Sequence, residues 1–174
     1  MNSPSSLGHP AVLECLRSSL DWDFPFFKVL ANNDTGFAPG HQGGIVVPKA
    51  LREFFPELPG AATETSPTVE KWIDAELLVE SRYCATVRTR YQFQTWGAKR
   101  KEERRLTGQL GPLRNQALGG DVLVMQCHRN RPGFYRLTLV RKTSSEFSGI
   151  DRLVSGRRWG VLTSRSPAQV SGGR

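Results

Sequence analysis

The sequence predicts a mainly-β domain, a barrel or pseudobarrel of strands with two or three short helices. Three observations carry that prediction. The stretch "CATVRTRYQFQTW" (84–96) places Ala85, Val87, Thr89, Tyr91 and Phe93 on one face and Thr86, Arg88, Arg90, Gln92 and Gln94 on the other. That period of two is the signature of a half-buried strand. "DVLVMQC" and "FYRLTLV" are two short apolar runs joined by the turn-rich "HRNRPG", which reads as a hairpin. The 174 residues show no repeat and no internal linker long enough to mark a second domain, so the strands belong to one fold.

The remaining elements follow in chain order. In "PAVLECLRSSL" (10–20), Val12, Leu13, Leu16 and Leu20 have the spacing of a short amphipathic helix with Pro10 at its start. "FPFFKVL" reads as a strand and Ile45 to Val47 as another. "PKALREFFP" reads as a short helix opened by Pro48 and closed before Pro56. Residues 57–68 are a loop by composition. Phe147, Ile150 and Val154 share one face of a short helix in "SSEFSGIDRLV", and "RRWGVL" is a last strand. The expected domain is 1–165, with 166–174 a linker or disordered tail.

A hydrophobic fraction of 38% allows one core, and no apolar stretch approaches the ~20 residues of a membrane helix. "MNSPSSLGHP" lacks the basic start and apolar run of a signal peptide, which points to the cytoplasm. Cys15, Cys84 and Cys127 are odd in number, widely spaced and without a C-x-x-C pair, so reduced thiols are expected.

Charge separates the two halves. The net charge is +8, yet residues 1–80 hold 5 Lys+Arg against 11 Asp+Glu and residues 81–174 hold 19 against 5. Arginines outnumber lysines 18 to 6, and planar bidentate donors suit phosphates and guanine edges. A polyanion is the expected partner class, nucleic acid first.

Two segments are too polar for a core. "NNDTGFAPGHQGG" (32–44) offers Asn33, Asp34, Thr35, His41 and Gln42, with glycines that let a backbone approach a surface. It lacks both the P-loop order and the G-x-G-x-x-G pattern. Base edges present donors and acceptors together, which such a mixture matches; self-satisfying Asx turns are the structural alternative. "KRKEERR" (99–105) packs Lys99, Arg100, Lys101, Arg104 and Arg105 around Glu102 and Glu103. It reads as an arm outside any strand, contacting bases and phosphates, with Glu103 orienting an arginine or accepting from cytosine N4. A solvated, helically spaced run of Glu–Arg pairs is the alternative. On the arm reading, Lys99, Lys101, Arg104 and Arg105 share one surface with His41.

"ANNDTGFAPGHQGGIVVPKALREFFP" resembles the N-terminal effector domain of the EcoRII restriction endonuclease: N-D-T-G, then G-H-Q, then an apolar strand ending in Pro, then a short helix before F-P. "KRKEERRLT" is similar to that family's second basic arm. The two motifs are some 60 residues apart and cover about half the chain with its flanks. The resemblance implies a B3-like DNA-binding pseudobarrel that grips the major groove of duplex 5′-CCWGG with two arms. It places His41 on a base-contacting position of the first arm and Lys99, Lys101, Glu103, Arg104 and Arg105 on the second. Val46 stands where relatives can carry tyrosine, and "TGQLGPLRN" looks shortened. The implied setting is the prokaryotic cytoplasm, as a monomeric effector or recognition module of a type II (IIE-like) restriction endonuclease.

No catalytic centre is expected in this chain. No Asp or Glu has Lys two positions later, no P-D dipeptide occurs, and no H-x-K motif is present. Magnesium belongs to a separate catalytic domain, a C-terminal nuclease in a longer chain, and this domain needs no cofactor. The other readings are a divergent nuclease or hydrolase using His41 and Asp34, and a nonspecific nucleic-acid- or protein-binding module.

Overall fold

The computed structural model describes residues 16, 19–23, 25–37, 43–95 and 102–162. Eight strands form one sheet: β1 Phe26–Val29, β2 Ile45–Val46, β3 Thr68–Val79, β4 Arg82–Gln94, β5 Glu103–Thr107, β6 Val122–Cys127, β7 Phe134–Val140 and β8 Trp159–Val161. Their order is β2-β5-β4-β3-β7-β6-β1-β8. The β3–β7 pairing is parallel, and the others are antiparallel. The sheet does not close, because β2 and β8 remain its two ends.

The sheet nevertheless wraps one interior. Phe26, Ile45, Ile73, Tyr91, Leu106, Met125 and Leu137, one each from β1 to β7, belong to a single buried cluster. The short helix expected after Pro48 is a 3₁₀ segment, Lys49–Phe54, and it folds into that interior. Phe54 stacks on Phe26 at 3.9 Å between centroids; the next residue, Phe55, lies 4.7 Å from Tyr91 and 5.2 Å from Tyr135. The Tyr135 hydroxyl donates to the Phe54 carbonyl at 2.8 Å. These contacts tie the segment after β2 to β1, β4 and β7, and so draw the two ends of the sheet together.

A second cluster lies on the opposite face, where Phe27, Val122, Val124 and Val140 are covered by Ile150 and Val154 of the helix Phe147–Val154. β1 and β6 are thus buried on both faces, which is why their sequences are apolar except at Lys28 and Gln126, both of which are buried too. The helix stops at Ser155, which adopts the left-handed conformation (φ 50°).

β3 was not anticipated. Its inward residues Ile73, Ala75, Leu77 and Val79 alternate correctly, but Glu70, Asp74 and Glu76 occupy its other face, and acidic residues are depleted in strands. Neighbouring cations offset them: Arg90 reaches Glu70 at 3.5 Å and Arg136 reaches Glu76 at 2.7 Å. The short helix Gly111–Arg114 was also unanticipated. Of the helix expected over 10–20, only Leu16, Ser19 and Leu20 are described, and the tail 166–174 lies outside the described residues. Among the described residues, no helix is long and apolar enough to cross a membrane.

Candidate nucleic-acid interface

The first polar segment leaves β1 through a 3₁₀ turn, Asn32–Asp34, and returns at β2. Asp34 is fully buried, so its carboxylate is not presented to a ligand as its sequence suggests. It accepts the Ala31 N–H and the Val46 N–H, each at 2.8 Å, and the Lys28 ammonium at 2.7 Å. One carboxylate therefore joins the departing and returning strands. Burial pushes the Lys28 pKa down, and the Asp34 charge pulls against that shift. Lys28 also donates to the Val46 carbonyl across the gap between β1 and β2.

Thr35 is likewise buried: its hydroxyl donates to the Asn32 carbonyl at 2.8 Å and accepts the Phe37 N–H at 3.3 Å. Arg114, which sequence reasoning passed over, donates to the Asp34 carbonyl at 2.9 Å and the Thr35 carbonyl at 2.7 Å. A Cβ on Gly36 would lie 2.7 Å from Asn115 Oδ1 and 3.0 Å from the Arg114 carbonyl. Gly44 has φ +107°, and a Cβ there would fall 2.5 Å from the Leu106 carbonyl. Asn33 remains exposed; His41 and Gln42 lie outside the described residues.

The second polar segment spans β4 and β5. Lys99, Arg100 and Lys101 lie outside the described residues, whereas Glu103, Arg104 and Arg105 open β5 and are part of the sheet rather than of a free arm. They pair with Gln94, Phe93 and Gln92 in turn. A strand sends successive side chains to opposite faces. Arg105 and Arg104 therefore diverge, contrary to the expectation that they share one surface. Arg105 is 3% exposed and donates from Nε and Nη2 to Glu103 Oε2 at 3.0 and 2.8 Å. Arg104 turns the other way, donates to the Tyr91 hydroxyl at 2.9 Å, and lies 5.5 Å from the Phe93 ring centroid.

Both segments are rooted on one polar cleft of about 410 Å³. Gly43 and Gly44 line it from the end of the first; Gln94, ahead of the second, and Glu103, within it, line it too. Its wall carries Arg90, Gln92, Arg105, Thr107 and Arg114. Thr107 donates to Gln92 Oε1 at 3.0 Å, which fixes that amide. Donors and acceptors of fixed orientation thus converge between the two roots. Arg90, Gln92 and Gln94 were legible as the polar face of an alternating strand; nothing in the sequence marked Arg114.

Among the described residues, no group of three or more His, Cys, Asp or Glu side chains is arranged to hold a metal ion. Burial pushes the Cys127 thiol up to about 12.

No family model matches the chain. No curated protein matches it either. Among solved structures, it is similar to the B3 domain of the UbaLAI restriction endonuclease, crystallised with cognate DNA. The TM-score is 0.54 at 20% sequence identity, over 90% of this chain and 88% of that one. The eight-stranded sheet, its short helices and this likeness together give the chain the fold of a B3 domain.

Proposed function

We propose that this chain binds duplex DNA in a sequence-specific manner, through two arms that enter the major groove from either side of the Gln92–Arg105 cleft. The observation that carries the reading is the convergence of both polar segments on one cleft within a B3 fold. The solved neighbour holds cognate DNA, which supports the same partner class here. The excess of cations after residue 80 supports it independently.

In this reading the partly exposed Glu103 faces the duplex, where its carboxylate can accept from cytosine N4, and the buried Arg105 fixes that carboxylate from beneath through Nε and Nη2. Asn33, His41 and Gln42 contact bases from the first arm, and Lys99, Arg100 and Lys101 contact bases and phosphates from the second. Asp34 and Thr35 hold the first arm rather than touch DNA, because both are buried within its root. The target is 5′-CCWGG, and the module is the effector or recognition part of a type II restriction endonuclease whose cutting centre lies elsewhere.

A gel shift with a CCWGG duplex beside a scrambled duplex of equal length tests this. Preferential retention of CCWGG is expected; equal retention would contradict sequence-specific recognition. His41→Ala should weaken cognate binding by about 1–3 kcal/mol, the usual worth of a base contact, and leave scrambled binding nearly unchanged. With magnesium, the 174-residue chain should leave a supercoiled plasmid intact. Cleavage abolished by a point mutation in this chain would refute the non-catalytic assignment.

A further inference from the structure

We infer that the groove between the two ends of the sheet, edged by Lys49, Arg158 and Trp159, is a second phosphate track for the duplex, outside the recognised base pairs. The inference rests on the DNA-binding reading above and extends it to two cations, Lys49 and Arg158, that lie outside both arm sequences.

β2 and β8 are the unpaired ends of the sheet, and a groove of about 790 Å³ lies between them. Asn33, from the first root, and Glu103, from the second, both line it, and Glu103 also lines the cleft. The groove therefore adjoins the cleft at Glu103. A duplex seated on the two roots would lay a backbone along it.

Its charges sort into engaged and available ones. Lys28 is paired with Asp34 and Glu103 with Arg105. Lys49 and Arg158 are exposed and have no ion-pair partner among the described residues. The contrast between neighbouring arginines is instructive. Arg157 folds back, donating to the carbonyls of Val154 at 3.1 Å and Leu153 at 2.8 Å at the helix end, with its guanidinium over Phe27. Arg158 makes no such return. Its backbone carbonyl is held by the Val29 N–H at 2.8 Å, which fixes where its side chain leaves the edge of the sheet.

Trp159 stands beside it, 44% exposed. It lines the same groove as Lys49 and Arg158, and an exposed tryptophan next to an arginine is the composition of an interface rather than of a solvated edge. Lys49 provides a point charge and Arg158 a planar fork, and both recognise phosphate without regard to sequence.

The test is a salt series of anisotropy titrations on the full 174-residue chain, with CCWGG and scrambled duplexes. Lys49→Gln combined with Arg158→Gln should lower the slope of log K against log salt by about 2. It should weaken both duplexes by the same factor and leave their ratio unchanged. Arg152→Gln, an exposed cation on the helix Phe147–Val154 that does not line the groove, should leave the slope as it was. Both groove side chains are exposed, and a melting temperature equal to the parent's confirms that the double variant is folded. An unchanged slope in the double variant overturns the inference while leaving DNA binding intact. So does an equal drop with Arg152→Gln, or a loss confined to CCWGG. If the parent chain binds neither duplex, the DNA-binding reading falls and takes this inference with it.

Discussion

The two segments that meet at the cleft both read as too polar for a core and are anchored in opposite ways. The first is held by a buried carboxylate: Asp34 takes two backbone N–H groups and the Lys28 ammonium, and Arg114 grips the adjoining carbonyls. Among its described polar side chains, Asp34 and Thr35 are buried while Asn32 and Asn33 are exposed. The second is held by ordinary strand pairing to β4, so its backbone needs no help from side chains. The pleat then divides its charges, with Arg105 and Glu103 toward the cleft and Arg104 toward the Tyr91 edge of the core. Polar density in a loop thus says little about contact capacity. Where the backbone cannot satisfy itself, side chains are drawn in to do so.

The difference is sharpest in stability. Asp34→Ala would strand a buried ammonium and two backbone donors, and should destabilise the fold by about 3–5 kcal/mol in urea unfolding. A loss below about 1 kcal/mol would mean that the root reorganises, and the comparison would fail. Gly44→Ala comes next. A positive φ combined with a Cβ 2.5 Å from a carbonyl should cost about 1–3 kcal/mol. Its effect should appear in the same unfolding curves rather than as lost sequence preference at low temperature.

At the second root the expected losses are in recognition. Arg105→Ala should remove about 1–3 kcal/mol of discrimination between CCWGG and scrambled duplexes. Arg104→Ala provides the contrast. It should cost about 1 kcal/mol of stability through its hydrogen bond to Tyr91, and no discrimination, measured by the same pair of titrations. Equal loss of discrimination in both variants would show that the pleat does not divide their roles.

Much of the fold was legible because its strands obey simple periods. β4 alternates, β6 and β7 are apolar runs around a turn, and the helix Phe147–Val154 shows its buried face at Phe147, Ile150 and Val154. β3 was hidden because its acidic face is stabilised by arginines some 20 and 60 residues away, a cross-strand effect that no local window contains. The site was legible as two segments but not as a surface. The burial of Asp34 depends on Lys28, and the place of Arg114 depends on a helix with no periodic signal of its own. The separation of Arg104 from Arg105 required knowing that β5 begins at Glu103, within a run of charges that suggested an arm.

Glu103 offers the most direct test of recognition at this cleft. A carboxylate beside DNA is repelled unless it makes or supports a defined contact, and here it holds Arg105 at 2.8 Å. The decisive measurement is the ratio of CCWGG to scrambled affinity for the parent chain and for Glu103→Ala, at one salt concentration. The account predicts that this ratio falls by about tenfold or more, with scrambled binding unchanged or tighter. If Glu103→Ala tightens both duplexes equally and the ratio holds, Glu103 is only a charge at the rim, and the cleft does not read sequence through it.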